Sequence, residues 1–344
     1  MRAELWWSIV ALAGLVSYAL TGWTRTAALK RGVLDIPNER SSHVVPTPRG
    51  GGVAIVIAMT AGLVALAVLK VIGIDLLLAL GGGGIAIAIV GYLDDRHRLS
   101  ARVRLAVHFA AALWALAWLG GLPPLRFGEL TFSFGWVGYV LGALGIVWTL
   151  NLFNFMDGID GIAASEAIFI VSAGAGLGML TNVSGEALAP AMLMAAACGG
   201  FLLWNWPPAR IFMGDAGSGY LGYAVVVLAL SAARHSEVAL LVWTILGGLF
   251  FVDATVTLAR RLARGERPYE AHRSHAYQWL SRRWESHKRV TLFCIGLNLL
   301  WLLPCAWYAA LRPALAGWMV LVALVPMILG ALWAGAGRRE QRAG

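Results

Sequence analysis

The sequence predicts an all-α polytopic membrane protein with about 11 transmembrane helices. Its 344 residues are 59% apolar and only 13% charged, whereas an ordinary soluble domain carries roughly 25% charged residues. Apolar runs of about 20 residues, the length that crosses a bilayer, recur along the chain with short connections between them. Because little sequence remains outside these runs, residues 1–344 are predicted to form a single integral membrane domain.

Eleven apolar runs define the predicted spans in chain order. They cover residues 5–22, 51–69, 74–93, 103–121, 136–153, 162–181, 187–205, 217–233, 238–259, 290–310 and 313–336. No small-residue cleavage site follows the first run, so we expect it to remain as an uncleaved span. Gly81–Gly84 lie inside the third run, where small residues allow helices to pack closely. The segment 122–136, with alternating Leu130, Phe132 and Phe134, fits either a short outer hairpin or an ordinary loop.

The basic residues predict the orientation of the chain. Alternate connections between the runs carry 22 of the 27 Lys and Arg residues. By the positive-inside rule that side is cytoplasmic, which places the N-terminus in the periplasm and the C-terminus in the cytoplasm of a bacterial inner membrane. The net charge of +9 does not indicate nucleic-acid binding, since the basic residues lie between apolar runs rather than on one continuous solvated face.

The acidic residues gather on the same side as the basic ones. Six aspartates lie in the predicted cytoplasmic connections, namely Asp35, Asp94, Asp95, Asp157, Asp160 and Asp215. A secondary transporter is expected to place ionisable groups near the midplane and to show repeat symmetry, and neither is evident. The pattern therefore predicts an active site at the cytoplasmic face. For His108 and Glu166, which lie inside or near spans, we expect helix–helix hydrogen bonds.

Two motifs combine carboxylates with groups that bind ligands. Asp94 and Asp95 leave the third run together, and such a pair suits a hard cation or a base, although a solvated helix end is the alternative. A second segment carries two amides and two carboxylates at three-residue spacing, which would share one face of a helix, with a solvated turn as the alternative; they are Asn151, Asn154, Asp157 and Asp160.

Three further segments add groups for phosphate and base recognition. Asp215 immediately precedes an apolar run, where helix capping without a ligand is the alternative, and Phe212 nearby offers a ring face for a base. The first connection, residues 35–52, has prolines and glycines that indicate an ordered turn whose backbone could meet a phosphate, with an ordinary glycine-rich helix start as the alternative. The connection 260–289 carries arginines and the histidines His272 and His275, which in charged form suit a diphosphate; positive-inside topology alone also explains several of its arginines.

These motifs, in this order, strongly resemble the polyprenyl-phosphate N-acetylhexosamine-1-phosphate transferase family, which includes the phospho-MurNAc-pentapeptide translocase. The resemblance runs from the Pro46–Gly51 loop to the His272–His275 loop. It implies Mg²⁺-dependent transfer of a sugar 1-phosphate from a UDP-activated amino sugar to undecaprenyl phosphate, with release of UMP. Mn²⁺ is the alternative ion, and a homodimer stays open.

The resemblance also implies roles for individual residues. Asp94 is similar to the catalytic carboxylate of the family, with Asp95 beside it and His272 holding phosphate. The expected metal ligands are Asp215, Asp95 and Asp157. The expected substrate-binding residues are Thr47, Arg49, Asn151, Asn154, Asp157, Asp160, Asn205, Phe212, Arg273 and His275.

One departure from the family bears on the donor sugar. The translocase branch has consecutive histidines where this chain has Arg273 and Ser274. The chain resembles instead the branch that initiates O-antigen or a similar cell-envelope polysaccharide, with GlcNAc, FucNAc or QuiNAc as the expected sugar. Peptidoglycan precursor transfer is the alternative within the family. A secondary transporter of an anionic solute, or an inactive scaffold, is the alternative outside it. Two routes stay open for Asp94: deprotonation of the lipid phosphate for direct attack, or a covalent aspartyl phosphate.

Overall fold

The computed structural model describes residues 2–37, 45–127, 130–180, 185–235, 239–267 and 272–339, and within these ranges the chain is mostly helical. The helices are α1 (Arg2–Arg31), α2 (Gly52–Val68), α3 (Ile74–Leu77), α4 (Gly83–His97), α5 (Ala101–Leu119), α6 (Val137–Met156), α7 (Ile162–Leu180), α8 (Gly185–Asn205), α9 (Asp215–His235), α10 (Ala239–Leu246), α11 (Gly248–Leu262), α12 (Ala276–Trp284), α13 (His287–Leu297), α14 (Leu303–Leu311) and α15 (Ala316–Ala334). Single π-helical turns, Leu78–Gly82 and Asn298–Leu302, join α3 to α4 and α13 to α14.

Helices cover the eleven apolar runs, but fewer of them are long enough to be candidate membrane spans. In the described part of the chain, nine helical segments are long and apolar enough to cross a membrane. Helices α10 and α11 form a tenth span that is bent by 73°. Helix α2, a shorter apolar helix of 17 residues, covers the remaining run, 51–69. The predicted all-α polytopic fold is confirmed. The bend was not predicted, because a break at Gly247 between two apolar stretches leaves the hydropathy pattern unchanged.

Helix α9 lies at the centre of the bundle. In the most apolar 18-residue stretch of α9, 89% of the residues are buried inside the protein. The corresponding share for Pro313–Ala334 is 11%. Tyr220 and Tyr223 of α9 are fully buried. A Cβ atom at Gly84 would lie 2.6 Å from the ring of Tyr220, and one at Gly83 would collide with the hydroxyl of Tyr223. The glycines of the third run therefore serve the close packing that the sequence predicted.

Two short strand pairs complete the fold. Strands β1 (Leu34–Asp35) and β2 (Thr47–Pro48) pair antiparallel after the end of α1. Strands β3 (Leu125–Phe127) and β4 (Leu130–Phe132) pair antiparallel between α5 and α6. Of the two alternatives for this segment, the hairpin is correct.

Helix–helix hydrogen bonds were expected for two residues, and only one of them forms such a bond. Glu166 accepts a hydrogen bond from Nδ2 of Asn298 at 2.6 Å, which joins α7 to the π-helical turn after α13. His108 differs, because its buried Nδ1 has no hydrogen-bond partner among the described residues. That part of the expectation is wrong.

Candidate active site

Helix ends from most of the chain meet around one polar cavity. Helices α4, α6 and α8 end beside it, and α2, α9 and α13 begin beside it. The cavity has a volume of about 230 Å³. It is lined by Asp35, Arg49, Asn154, Asp157, Gly158, Ile159, Asp160, Asn205, Phe212, Met213, Gly214, Asp215, Ser218, Gln278 and His287. Residues far apart in sequence but singled out by their motifs are thus brought together here.

Arg49 is the cation at the centre of this cluster. Its Nη2 lies 2.9 Å from Oδ1 of Asp95 and 2.6 Å from Oδ1 of Asp215. Burial by itself lowers the pKa of Arg49, but the charges of Asp215 and Asp95 outweigh it and hold that pKa above its ordinary value. The guanidinium therefore stays charged and balances two carboxylates from different helices.

Asp95 also fixes the first residue of α9. Its Oδ2 accepts a hydrogen bond from the backbone N–H of Asp215 at 3.0 Å. A free N–H group at a helix N-terminus favours an anionic partner. The carboxylate that caps α9 is thus supplied by α4, and the side chain of Asp215 is left to pair with Arg49.

The adjacent carboxylates Asp94 and Asp95 have different partners. Successive residues of a helix point about 100° apart. Asp94 forms an ion pair with Nη1 of Arg104 on α5 at 2.6 Å, and it does not line the cavity. Of the expected catalytic pair, Asp95 is the member that contacts Arg49 and Asp215.

The first connection and the α8–α9 connection are held together by their backbones. Phe212 donates its N–H to the carbonyl of Pro48 at 2.8 Å, and the N–H groups of Gly50 and Gly51 both donate to the carbonyl of Phe212. This pairing places Arg49 and Phe212 in one wall of the cavity. Thr47 is buried, with its hydroxyl donating to the carbonyl of Val45 at 2.9 Å, and it does not line the cavity. Residues 38–44 of this connection lie outside the described residues.

The four residues expected on one helical face behave differently from one another. Helix α6 ends at Met156, so Asp157 and Asp160 lie in the following turn. Asn151 donates to the carbonyl of Val147 within its own helix at 2.7 Å and does not line the cavity. The prediction that these four residues share one helical face is therefore wrong, because the glycine-containing turn begins sooner than their spacing suggested.

The other three residues of that motif, Asn154, Asp157 and Asp160, do line the cavity. Asn154 donates to the hydroxyl of Ser218 on α9 at 3.0 Å. Burial raises the pKa of Asp157 well above its ordinary range; Arg49 opposes this rise, and the charges of Asp215 and Asp95 add to it. The cavity thus concentrates negative charge that a bound cation would relieve.

Asp160 and Asn205 fix the turn after α6 to the α8–α9 connection. Asp160 accepts from the backbone N–H of Ala209 at 3.0 Å. Asn205 accepts from the N–H of Gly161 and donates to the carbonyl of Ile211, each at 2.9 Å. Asp160 has a further partner in His287 at the start of α13, whose Nδ1 lies 3.1 Å from its Oδ1.

His287 was not predicted as a site residue. It lies within the basic connection 260–289, whose sequence pattern is dominated by arginines and by the histidines of the family motif. The available signal was local: Ser286 is the N-cap of α13, and its side chain accepts from the N–H of Arg289. A histidine at a capped helix start is typical of a fixed rather than a mobile position.

The loop histidines and Arg273 do not line the cavity. Asp253 accepts from the backbone N–H groups at the start of α12, and Nδ1 of His275 lies 3.4 Å from its Oδ1. The His272 and His275 rings stack with centroids 5.0 Å apart. The carbonyl of Arg273 accepts from Nη2 of Arg282 at 3.0 Å. Residues 268–271 of this motif lie outside the described residues.

The expected contact of His272 with phosphate stays a prediction, and in this structure its imidazole has a lowered pKa. Burial, together with the charges of the neighbouring His275 and Arg261, lowers the pKa of His272 to about 3. The charges of Glu266 and Asp253 oppose this fall in pKa but do not offset it.

The expected metal ligands are only partly assembled. Among the residues described, no three His, Cys, Asp or Glu side chains converge closely enough to hold a metal ion. Asp95 and Asp215 are joined through Arg49, and Asp157 lines the same cavity. Their oxygen donors fit a hard cation such as Mg²⁺, and the guanidinium supplies the positive charge between them.

Comparison with known proteins gives consistent results. Residues 77–233 match the model of glycosyl transferase family 4. The chain is 30% identical over 287 residues to a probable undecaprenyl-phosphate N-acetylglucosaminyl 1-phosphate transferase of Bacillus subtilis (strain 168), covering 80% of this chain and 78% of the relative. It is 30% identical over 311 residues to a decaprenyl-phosphate N-acetylglucosaminephosphotransferase of Mycolicibacterium smegmatis, covering 81% and 76%. A phospho-N-acetylmuramoyl-pentapeptide-transferase of Moorella thermoacetica is 32% identical over 223 residues, covering 60% of this chain and 66% of that relative.

Proposed function

The chain belongs to glycosyl transferase family 4, and on this premise we propose which donor, acceptor and residues it uses. It is a polytopic membrane transferase that moves an N-acetylhexosamine 1-phosphate to a polyprenyl phosphate. The donor is a UDP-activated amino sugar carrying GlcNAc, FucNAc or QuiNAc, the acceptor is undecaprenyl phosphate, and the second product is UMP. The product initiates a cell-envelope polysaccharide such as O-antigen, at the cytoplasmic face of the inner membrane.

The observation that carries this proposal is the composition of the polar cavity. A nucleoside diphosphate sugar needs a cation for its phosphates, amide and carboxylate groups for its sugars and base, and an aromatic face for its base. Arg49, Asn154, Asp160 and Phe212 supply these groups around one volume of about 230 Å³. Arg is well suited to phosphate oxygens because its fork presents paired N–H donors.

An apolar cavity beside the polar one suits the lipid acceptor. It has a volume of about 330 Å³ and lies between α11, α12, α13 and α15, next to the bent span. Met156 and Tyr277 line the apolar cavity, whereas their chain neighbours Asp157 and Gln278 line the polar one. A lipid phosphate bound across this boundary would keep its isoprenoid in an apolar environment and bring its headgroup to the donor.

The reaction exchanges one phosphorus–oxygen bond for another. An oxygen of the acceptor phosphate bonds to the phosphorus that carries the sugar, the bond from that phosphorus to the bridging oxygen breaks, and its electron pair leaves with UMP. Asp94, held by Arg104, is the proposed acceptor-side carboxylate, acting either as a base or through a covalent aspartyl phosphate. Asp95, Arg49 and Asp215 act on the donor side.

We propose Mg²⁺ as the cofactor, with Mn²⁺ as the alternative. Asp95 and Asp215 would hold the ion, with Asp157 nearby. When bound, it would supply positive charge to the diphosphate and to the departing UMP. The residues' own contribution is to fix α9 against α4 and to keep Arg49 charged at the same place.

The test is transfer by purified protein from labelled UDP-GlcNAc, UDP-FucNAc, UDP-QuiNAc or UDP-MurNAc-pentapeptide to undecaprenyl phosphate with Mg²⁺. We expect lipid-linked product from one of the first three donors. Product only from UDP-MurNAc-pentapeptide would favour the peptidoglycan alternative. The absence of product from every donor, with intact folded protein, would contradict the proposal.

A further inference from the structure

We propose that His287 is a positioning residue for the nucleotide half of the donor site. Its imidazole orients the carboxylate of Asp160, which holds the connection that carries Phe212. This inference rests on the proposed function, because it assigns the position of the nucleotide to that end of the cavity.

The contact between the two side chains is short and enclosed. Nδ1 of His287 lies 3.1 Å from Oδ1 of Asp160, and the two side chains are 16% and 12% exposed. The backbone N–H of Asp160 is directed at the same Nδ1, at 3.4 Å. Both residues line the polar cavity. When Nδ1 carries a proton, the 3.1 Å contact to Oδ1 is a hydrogen bond that fixes which oxygen of the carboxylate faces the helix and which faces away.

The oxygen that faces away holds the opposite wall. Oδ2 of Asp160 accepts the backbone N–H of Ala209 at 3.0 Å. Three residues later the same connection presents Phe212 to the cavity. A rotation of the Asp160 side chain would release the N–H of Ala209, so this carboxylate adds to the backbone bonds that hold the connection carrying Phe212.

Helix α13 makes a second contact with Asp160, and this contact anchors the helix without orienting the carboxylate. One turn after His287, the hydroxyl of Thr291 donates to the backbone carbonyl of Asp160 at 2.9 Å. This bond joins the helix to the same residue without contacting its carboxylate. Removal of either side chain weakens the attachment of α13, but only removal of His287 frees the carboxylate.

His287 lies apart from the charged cluster of the cavity, and this separation predicts which kinetic constant its loss will change. The cluster of Arg49, Asp95 and Asp215 is held by its own ion pairs, which join the first connection to α4 and α9 rather than to α13. Loss of His287 should therefore weaken binding of the nucleotide and leave the chemical step nearly unchanged. A hydrogen bond to a charged group is worth enough for a change of about 10-fold or more in affinity.

The experiment measures binding of UMP by the purified full-length protein, together with KM and kcat for the donor that it accepts, in four variants. His287→Ala removes the imidazole. His287→Asn places an amide N–H near the position of Nδ1, whereas His287→Gln places it near that of Nε2. Thr291→Val is the matched control, because it removes the other bond from α13 to Asp160.

We expect His287→Ala to raise the Kd of UMP and the KM of the donor about 10-fold, with kcat within about twofold of wild type. His287→Asn should recover most of the affinity, and His287→Gln should resemble His287→Ala. Thr291→Val should lower the unfolding temperature while leaving the Kd of UMP unchanged.

Three results would overturn the inference. They are wild-type UMP affinity in His287→Ala, equal affinity in the Asn and Gln variants, and a rise in Kd in Thr291→Val as large as that in His287→Ala. If the wild-type protein itself binds no UMP and transfers no sugar phosphate, the proposed function fails and the inference fails with it.

Discussion

Arg49 is the residue on which the charge balance of the candidate site depends. It contacts both Asp95 and Asp215, and without it two half-buried carboxylates would face each other with no cation between them. We expect Arg49→Met to lower kcat/KM at least about 100-fold, since two charge-assisted contacts are lost. Arg49→Lys should restore part of that loss, because a single ammonium keeps the charge but not the paired donors.

Arg312→Met is the control for the Arg49 variants. Arg312 is exposed and lies between α14 and α15, far from the cavity in sequence. Its replacement should leave kcat/KM unchanged. Activity of Arg49→Met within a few fold of wild type would contradict the role assigned to the guanidinium.

His272 gives the folded protein a pH dependence whose sign follows from its pKa. The pKa of the folded imidazole is lowered to about 3 from its ordinary 6.5. Below pH 6.5 the unfolded chain therefore takes up a proton that the folded chain does not. The stability contribution is fully present above about pH 6.5 and is lost as pH falls toward 3.

The measurement is thermal unfolding in detergent at pH 7.5 and pH 5. We expect the unfolding temperature of wild-type protein to fall more between these values than that of His272→Gln. An equal fall in both proteins would show that the imidazole of His272 is protonated in the folded state.

At the residue scale, the motifs predicted which residues line the cavity better than they predicted which side chains contact each other. Arg49, Asp157, Phe212 and Asp215 line the cavity as expected. Composition and spacing could not show that Asp94 pairs with Arg104, because that depends on the rotation of α4 against α5. His287 was not predicted as a site residue because its partner, Asp160, is 127 positions away in the sequence.

At the scale of helices, the site requires α4 and α9 to approach very closely. A Cβ atom at Gly91 would lie 2.6 Å from the backbone of Asp215 and Ala216. We expect Gly91→Ala to displace the first turn of α9, with a loss of about 2 kcal/mol in stability or more from overpacking and with greatly reduced transfer. Unfolding in detergent and the transfer assay measure the two effects.

Gly145 provides the matched control on α6. A Cβ atom there would meet nothing within 4 Å. Gly145→Ala should be neutral or stabilising by about 0.5–1 kcal/mol, because alanine loses less backbone freedom in a helix. If Gly91→Ala behaves like Gly145→Ala, the close contact between α4 and α9 is not required.

The helices themselves were predictable because hydropathy reports directly on burial in a bilayer. Their ends were less so. Helix α6 ends at Met156, where the motif spacing suggested that it continues, and Gly247 separates α10 from α11 within one apolar run. In both places the backbone changes direction without any change in composition.

At the scale of the whole molecule, the distribution of Lys and Arg predicts which side of the membrane carries the site. The helix ends that form the cavity belong to the side with 22 of the 27 basic residues. We expect a fluorescent protein fused to the C-terminus to fluoresce in the cytoplasm and alkaline phosphatase at the same position to be inactive. The reverse pattern would place the cavity in the periplasm, away from nucleotide sugars.

The most direct test of sugar 1-phosphate transfer follows the β-phosphorus of the donor. Purified protein would be given UDP-GlcNAc, or whichever donor it accepts, labelled at that phosphorus, together with undecaprenyl phosphate and Mg²⁺. We expect the label in the lipid product and unlabelled UMP in solution, with neither formed by Asp95→Asn or Asp215→Asn. Label that stays in solution as UDP while sugar enters the lipid would mean transfer of the sugar alone, and would contradict the proposed reaction.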